Sequence, residues 1–287
     1  MSSPSGLVIV DKPSGVTSHQ VVGRLRRLLG TRKIGHAGTL DPMATGVLIL
    51  GVNRATRLLG HLALHDKEYL ATVRLGESSP TDDADGEVVF VADATGLTEA
   101  DVDAALEPQR GDILQRPSAV SAIKVDGKRA YARVRSGEDV VLKERPVTVS
   151  RLEVLGVRPA GRCLDVDLAV ECSSGTYVRS IARDLGDALG VGGHLTALRR
   201  TRIGGYGIDD AVTLGDEPPR LMGMADAARL SFPVVDLTEA EARDVGFGRS
   251  LQRVVPADPT GVIGPDGDLL ALYRPSGNGS VPVAVLV

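Results

Sequence analysis

Two periods run along this chain, and the points where one gives way to the other predict its elements. "LVIVD" (7–11) is a short unbroken apolar run before a "KPSG" turn, which reads as a buried strand. In "TSHQVVGRLRRLLG" (17–30) the period lengthens to that of a helix. Val21, Val22, Leu25, Leu28 and Leu29 form its apolar face, Thr17 or Ser18 caps its start and Gly30 stops it. "VLILG" (47–51) is a second buried strand, and "EYLATVRLG" (68–76) alternates with Tyr69, Ala71, Val73 and Leu75 on one side. A strand is expected at "EVVFV" (87–91) and a capped helix at "TEADVDAALE" (98–107). "PVTVSRLEVLGV" (146–157) and "CLDVDLAVEC" (163–172) alternate as strands. "VRSIARDLGDALG" (178–190) turns Ile181, Leu185 and Leu189 inward as a helix.

Between these elements, residues 117–140 are small, polar and basic with weak periodicity, and read as a mobile insertion. Composition shifts near 213–232. Beyond it, short β-like runs alternate with Pro/Gly turns, so a small β-rich C-terminal module is expected from near 231. The domain reading is 1–230 and 231–287.

Composition adds compartment and partner. The 287 residues, 43% hydrophobic, suffice for a large domain plus a small one. No apolar run is long enough to cross a membrane, and the first apolar run lacks the basic flank of a signal peptide. Two cysteines, Cys163 and Cys172, form no disulfide framework, so the cytoplasm is the expected compartment. Net charge is −4, yet residues 1–60 hold eight Lys/Arg against two Asp/Glu, and 116–151 hold nine against four. Residues 66–110 hold three against twelve. Basic zones in an acidic chain suit RNA held at one face; chance clustering of surface charge is the other reading.

Candidate chemistry centres on "GHAGTLDPMATG" (35–46). His36 and Asp41 have no third group at metal-ligand spacing, so a zinc site is not supported. The G-x-S-x-G elbow, the P-loop and the dinucleotide fingerprint are missing. What remains is a carboxylate nucleophile. Asp41 would need to be ionised, and Arg179 and Arg183, four apart on one predicted helix face, are candidate cations. An Asp-Pro turn is the competing reading of Asp41, as is plain core for Tyr69 and Leu198 and a backbone-bonded loop residue for His36.

Five blocks carry a resemblance: "DKPSGVTSHQVVGRLRR", "GHAGTLDPMATGVLILGVNRATRLLG", "KEYLATVRLGESSPTDDADGE", "PSAVSAIKVDGKRAYARVRSGE" and "CSSGTYVRSIARDLGDALGVGGHLTALRRTRIG". In order and spacing, from about 7 to 212, they resemble the TruB family of tRNA pseudouridine synthases, and the C-terminal part is similar to the shorter form of actinobacterial members. The resemblance implies an α+β pseudouridine-synthase fold: a mixed central β-sheet flanked by helices and insertions, plus a small PUA-like C-terminal domain. It implies isomerisation of the T-loop uridine at tRNA position 55, by base flipping, with no cofactor or metal. Asp41 matches the nucleophile, which could attack either the uracil ring or the ribose carbon. Tyr69 matches the tyrosine that stacks on the flipped uracil and helps remove its C5 proton, and Arg179 the arginine paired with the aspartate. Tyr177 and Leu198 match pocket residues, His36 a contact to flipped-out nucleotides, and Lys12 with Pro13 a support of the catalytic loop. The 117–140 insertion matches the family's thumb, in which Lys124, Lys128 and Arg129 would grip phosphates.

The resemblance further implies a monomer that needs no protein partner or membrane, takes the tRNA T arm as partner and assists tRNA folding. Two other functions stay open. A pure RNA binder or folding helper would not need the trio Asp41, Tyr69 and Arg179. A synthase acting on rRNA or directed by guide RNA fits less well with the short C-terminal module and the tRNA-type thumb.

Overall fold

The computed structural model describes residues 4–120 and 142–287, with the backbone of 124–125 and 128–129. In chain order the elements are β1 (Gly6–Lys12), α1 (Ser18–Leu29), β2 (Ile34–Ala37), β3 (Thr45–Val52), α2 (Leu59–Leu62), β4 (Lys67–Leu75), β5 (Glu77–Ser78), β6 (Val89–Phe90), α3 (Glu99–Leu106) and β7 (Gly111–Gln115). Then come β8 (Lys124–Val125), β9 (Lys128–Arg129), β10 (Arg145–Ala160), β11 (Cys163–Cys172), α4 (Val178–Leu189), β12 (Gly193–Ile203), β13 (Tyr206–Gly207) and α5 (Met224–Ser231). The last are β14 (Val234–Asp236), α6 (Glu239–Gly246), β15 (Thr260–Ile263), β16 (Leu269–Ser276) and β17 (Gly279–Val285). The fold is α+β. It forms two compact units, one of 1–42, 46–64 and 202–287, the other of 43–45 and 65–201.

In the first unit β3 carries β1 on one edge and β2 on the other, both antiparallel, so its apolar run is buried. The expected helix at 17–30 is α1. Thr17 caps it in a box with Gln20, and Gly30 closes it at φ 62°, a left-handed turn that a residue without Cβ adopts cheaply. Val21, Val22 and Leu25 are buried, while Leu28 and Leu29 are half-buried. The C-terminal strands form a sheet in the order β14-β15-β16-β17, parallel at β14–β15 and antiparallel elsewhere. One cluster joins Leu7, Ile9 and Ile49 to Ile263, Leu272 and Leu286. A second, smaller one gathers Leu237, Val245, Val262 and Tyr273.

In the second unit the strand order is β12-β4-β11-β10-β7. The β4–β11, β11–β10 and β10–β7 ladders are antiparallel. β4 buries Lys67, Tyr69, Ala71, Val73 and Leu75 on one face, as its alternation predicts. Helix α4 comes so close to the start of β12 that a Cβ on Gly186 would stand 2.1 Å from the Gly193 nitrogen. That contact fixes the helix carrying Arg179. The strand expected at 87–91 shortens to Val89–Phe90, whose flanking valines are exposed.

Candidate active site

Asp41 lies in the loop between β2 and β3 of the first unit, and its neighbours are tied down on both sides. The Ser18 hydroxyl, buried at the start of α1, accepts from the Leu40 N–H (2.9 Å) and donates to the Leu40 carbonyl (3.1 Å). Across the loop, the Pro42 carbonyl accepts from the Gly15 N–H (2.9 Å) and from Lys12 Nζ (3.2 Å). Lys12 is 0% exposed and also donates to the Val16 and Pro13 carbonyls at 2.7 and 2.9 Å. A buried cation needs such partners, and one of them, the Pro42 carbonyl, directly follows Asp41. His36 lies on β2 in register with Leu50.

Replacing Lys12 by methionine should therefore loosen the loop. Up to three carbonyls would lose a charged donor, at a net cost of about 2–4 kcal/mol. The chemical denaturation midpoint should fall, and the Gly15 amide should exchange faster with solvent. An amide still protected in the variant would show that Lys12 does not hold the loop.

The second unit holds Tyr69, Tyr177, Arg179 and Leu198. Tyr69 is buried on β4, in register with Val170, and Leu198 is buried on β12, the neighbouring strand. Tyr177 precedes α4 and is half-buried; its backbone is gripped by the Gln115 amide, which donates to the Tyr177 carbonyl (3.1 Å) and accepts its N–H (2.8 Å). Arg179, in the first turn of α4, spreads its guanidinium over several acceptors. Nη1 donates to the Thr81 carbonyl (2.8 Å) and Nη2 to the Val120 carbonyl (2.9 Å). Asp83 Oδ2 stands 3.3 Å from Nη1, and the two side chains are only 6% and 4% exposed. Asp83 Oδ1 also accepts from Thr81 Oγ1 and the Asp85 N–H. Arg183 pairs with Asp82 and Asp184. The side chains of Lys124, Lys128 and Arg129, with most of the 117–140 insertion, lie outside the described residues; the backbone of β8 and β9 pairs antiparallel.

The sequence offers Ser18 only as a possible helix cap, and singles out neither Gln115 nor Asp83. The first two act through backbone atoms, and Asp83 is one acid in an acidic run, "TDDADG". Lys67, two residues before Tyr69 and on the same face, is buried as well, and donates to the His65 carbonyl (2.7 Å). Burial, reinforced by nearby Arg200, pushes its pKa down to about 8 from 10.5. The folded chain thus binds this proton less tightly than the unfolded chain, and stability rises with pH from about 8 to 10.5. Relative to Lys67→Met, the wild-type chain should gain on the order of 3 kcal/mol over that range. Urea midpoints of both proteins across it test the sign; a constant difference would mean that Lys67 does not titrate there.

Comparison with known proteins gives this geometry a context. Residues 26–178 match the model for "TruB family pseudouridylate synthase (N terminal domain)". Residues 179–216 match "tRNA pseudouridylate synthase B C-terminal domain", and 232–287 match "tRNA Pseudouridine synthase II, C terminal". The chain belongs to the TruB family. It is 60% identical over 280 residues to a tRNA pseudouridine synthase B of Cutibacterium acnes, spanning 94% of this chain and 93% of that one. To the protein of the same name in Arthrobacter sp. it is 56% identical, over 98% and 96% of the two chains. In fold it resembles a chain of an H/ACA ribonucleoprotein bound to a substrate RNA containing 2′-deoxyuridine. There the TM-score is 0.72 at 24% identity, over 98% of this chain and 85% of that one. As a TruB-family pseudouridine synthase the chain is an isomerase, and among its described residues no helix is long and apolar enough to cross a membrane.

Proposed function

We propose that this chain isomerises the T-loop uridine at position 55 of tRNA to pseudouridine. The carrying observation is an aspartate at position 41 in a loop pinned at Leu40 and Pro42, in a chain 60% identical to a tRNA pseudouridine synthase B. The N1–C1′ bond breaks, the base turns and a C5–C1′ bond forms. The C5 proton leaves and N1 takes one up, so atoms balance and no redox partner is needed. Asp41 is the nucleophile that carries the detached fragment. A base inside a folded loop must first be extruded, at a few kcal/mol, and stacking on Tyr69 offsets about 1–3 kcal/mol of that. Tyr69 also helps remove the C5 proton. Tyr177 and Leu198 line the uracil pocket, Arg179 favours the ionised aspartate, His36 meets flipped-out nucleotides and Lys12 supports the loop. Lys124, Lys128 and Arg129 grip stem phosphates from the 117–140 thumb.

In this reading the protein works as a cytoplasmic monomer, residues 231–287 form an RNA-binding module beside a 1–230 catalytic domain, and binding also assists tRNA folding. Identities of 52–60% to synthases named for tRNA, against 24% to the ribonucleoprotein chain, favour tRNA over a guide-directed target. The test is incubation with a T-arm minihelix followed by mapping of pseudouridine. Conversion is expected at the single T-loop uridine; no conversion there, or conversion at other uridines, would overturn the assignment.

A further inference from the structure

We propose that a groove on the outer side of α1 holds a nucleotide of the RNA strand, away from the isomerised uridine; this rests on the RNA-enzyme reading above. The groove has a volume of about 600 Å³ and lies wholly within the first unit. Its apolar floor is lined by Val16, just before α1, Val21 within it, and Leu214. Its rim carries His19, Arg24 and Arg27. An apolar floor of this size beneath cations suits a base and sugar with their phosphate outside.

Two further features point to a strand rather than to one free anion. Arg27 also borders a second hollow of about 710 Å³, shared with Arg26, Thr31 and Arg32, so the cations continue past the groove. From 24 to 33 the chain carries five Lys/Arg and no acid. Among the described residues Arg27, Arg32 and Lys33 form no ion pair, and Arg24 donates to the Gly215 carbonyl (3.1 Å) and pairs with the fully exposed Asp216, a pair of little strength.

Gly23 supplies an independent observation. It sits in the middle of α1 and lines the groove, where alanine would stabilise the helix by about 1 kcal/mol. A Cβ there would meet nothing within 4 Å, and its φ is not left-handed, so neither packing nor backbone requires glycine. What the missing side chain does is keep the groove open.

The experiment uses the full chain with tRNA at several salt concentrations. Arg24→Ala with Arg27→Ala should weaken affinity roughly tenfold or more near 0.1 M salt, and flatten the salt slope by up to about two phosphate contacts. Gly23→Leu should weaken affinity while leaving thermal stability equal or higher. Single-turnover conversion at saturating enzyme should stay unchanged in both. A benzophenone on Gly23→Cys should crosslink to tRNA, and uridine monophosphate should not compete. Unchanged affinity and salt slope would overturn the proposal. So would a crosslink abolished by uridine monophosphate, or one formed with an acidic protein in place of tRNA. If tRNA binding responds as expected but no variant, nor the wild type, makes pseudouridine, the catalytic reading fails and the groove stands.

Discussion

Asparagine in place of Asp41 is expected to slow pseudouridine formation by at least about a thousandfold, with tRNA affinity changed no more than about twofold. The amide keeps the size and much of the hydrogen bonding of the carboxylate but is a poor nucleophile. The loop should keep its shape, because Ser18, Lys12 and the Gly15 N–H hold it through Leu40 and Pro42. Single-turnover conversion and filter binding with the same tRNA separate the two quantities. A variant that converts at the wild-type rate removes Asp41 from the chemistry. One that loses binding and rate together points to a structural role.

Arg179→Met is expected to cost about 3–5 kcal/mol of stability and to abolish conversion. Asp83 would be left buried without its guanidinium, and the Thr81 and Val120 carbonyls would lose a donor. Adding Asp83→Asn should restore most of the stability, because the uncompensated charge is gone, but none of the activity. Arg179→Lys keeps the charge and loses the planar fork that reaches Thr81, Val120 and Asp83 together, so it should fall between the two. Denaturant midpoints and single-turnover rates of the three variants decide the matter. A stable Arg179→Met would mean that Asp83 does not depend on its partner.

Where period and capping agree, the chain was legible. α1 announces itself by Thr17, Gln20 and Gly30, and β4 by its alternation around Tyr69. β2 leaves no strand signal in the sequence, since "IGHA" carries no alternation and pairs along the edge that β3 offers. β12 was obscured by "LRRTR": Arg200 is 1% exposed, a burial that no polarity pattern predicts. Helices α5 and α6 are eight residues each with few apolar anchors, too short for their period to show. At the candidate site, the sequence suffices to name the residues proposed for the chemistry. It does not suffice for those that hold them in place, Ser18 on Leu40 and Gln115 on Tyr177, because their partners are main-chain atoms brought near only by folding.

Synthesis proceeds from the N-terminus, and the two units become possible at different times. All of 65–201 can leave the ribosome as one block and fold while elongation continues. The unit with Asp41 has to wait, since Leu7, Ile9 and Ile49 share their cluster with Leu272 and Leu286. That cluster is therefore incomplete until Leu272 and Leu286 have been made. A nascent chain can thus complete the unit of Tyr69 and Arg179 before the unit that carries Asp41 closes its core.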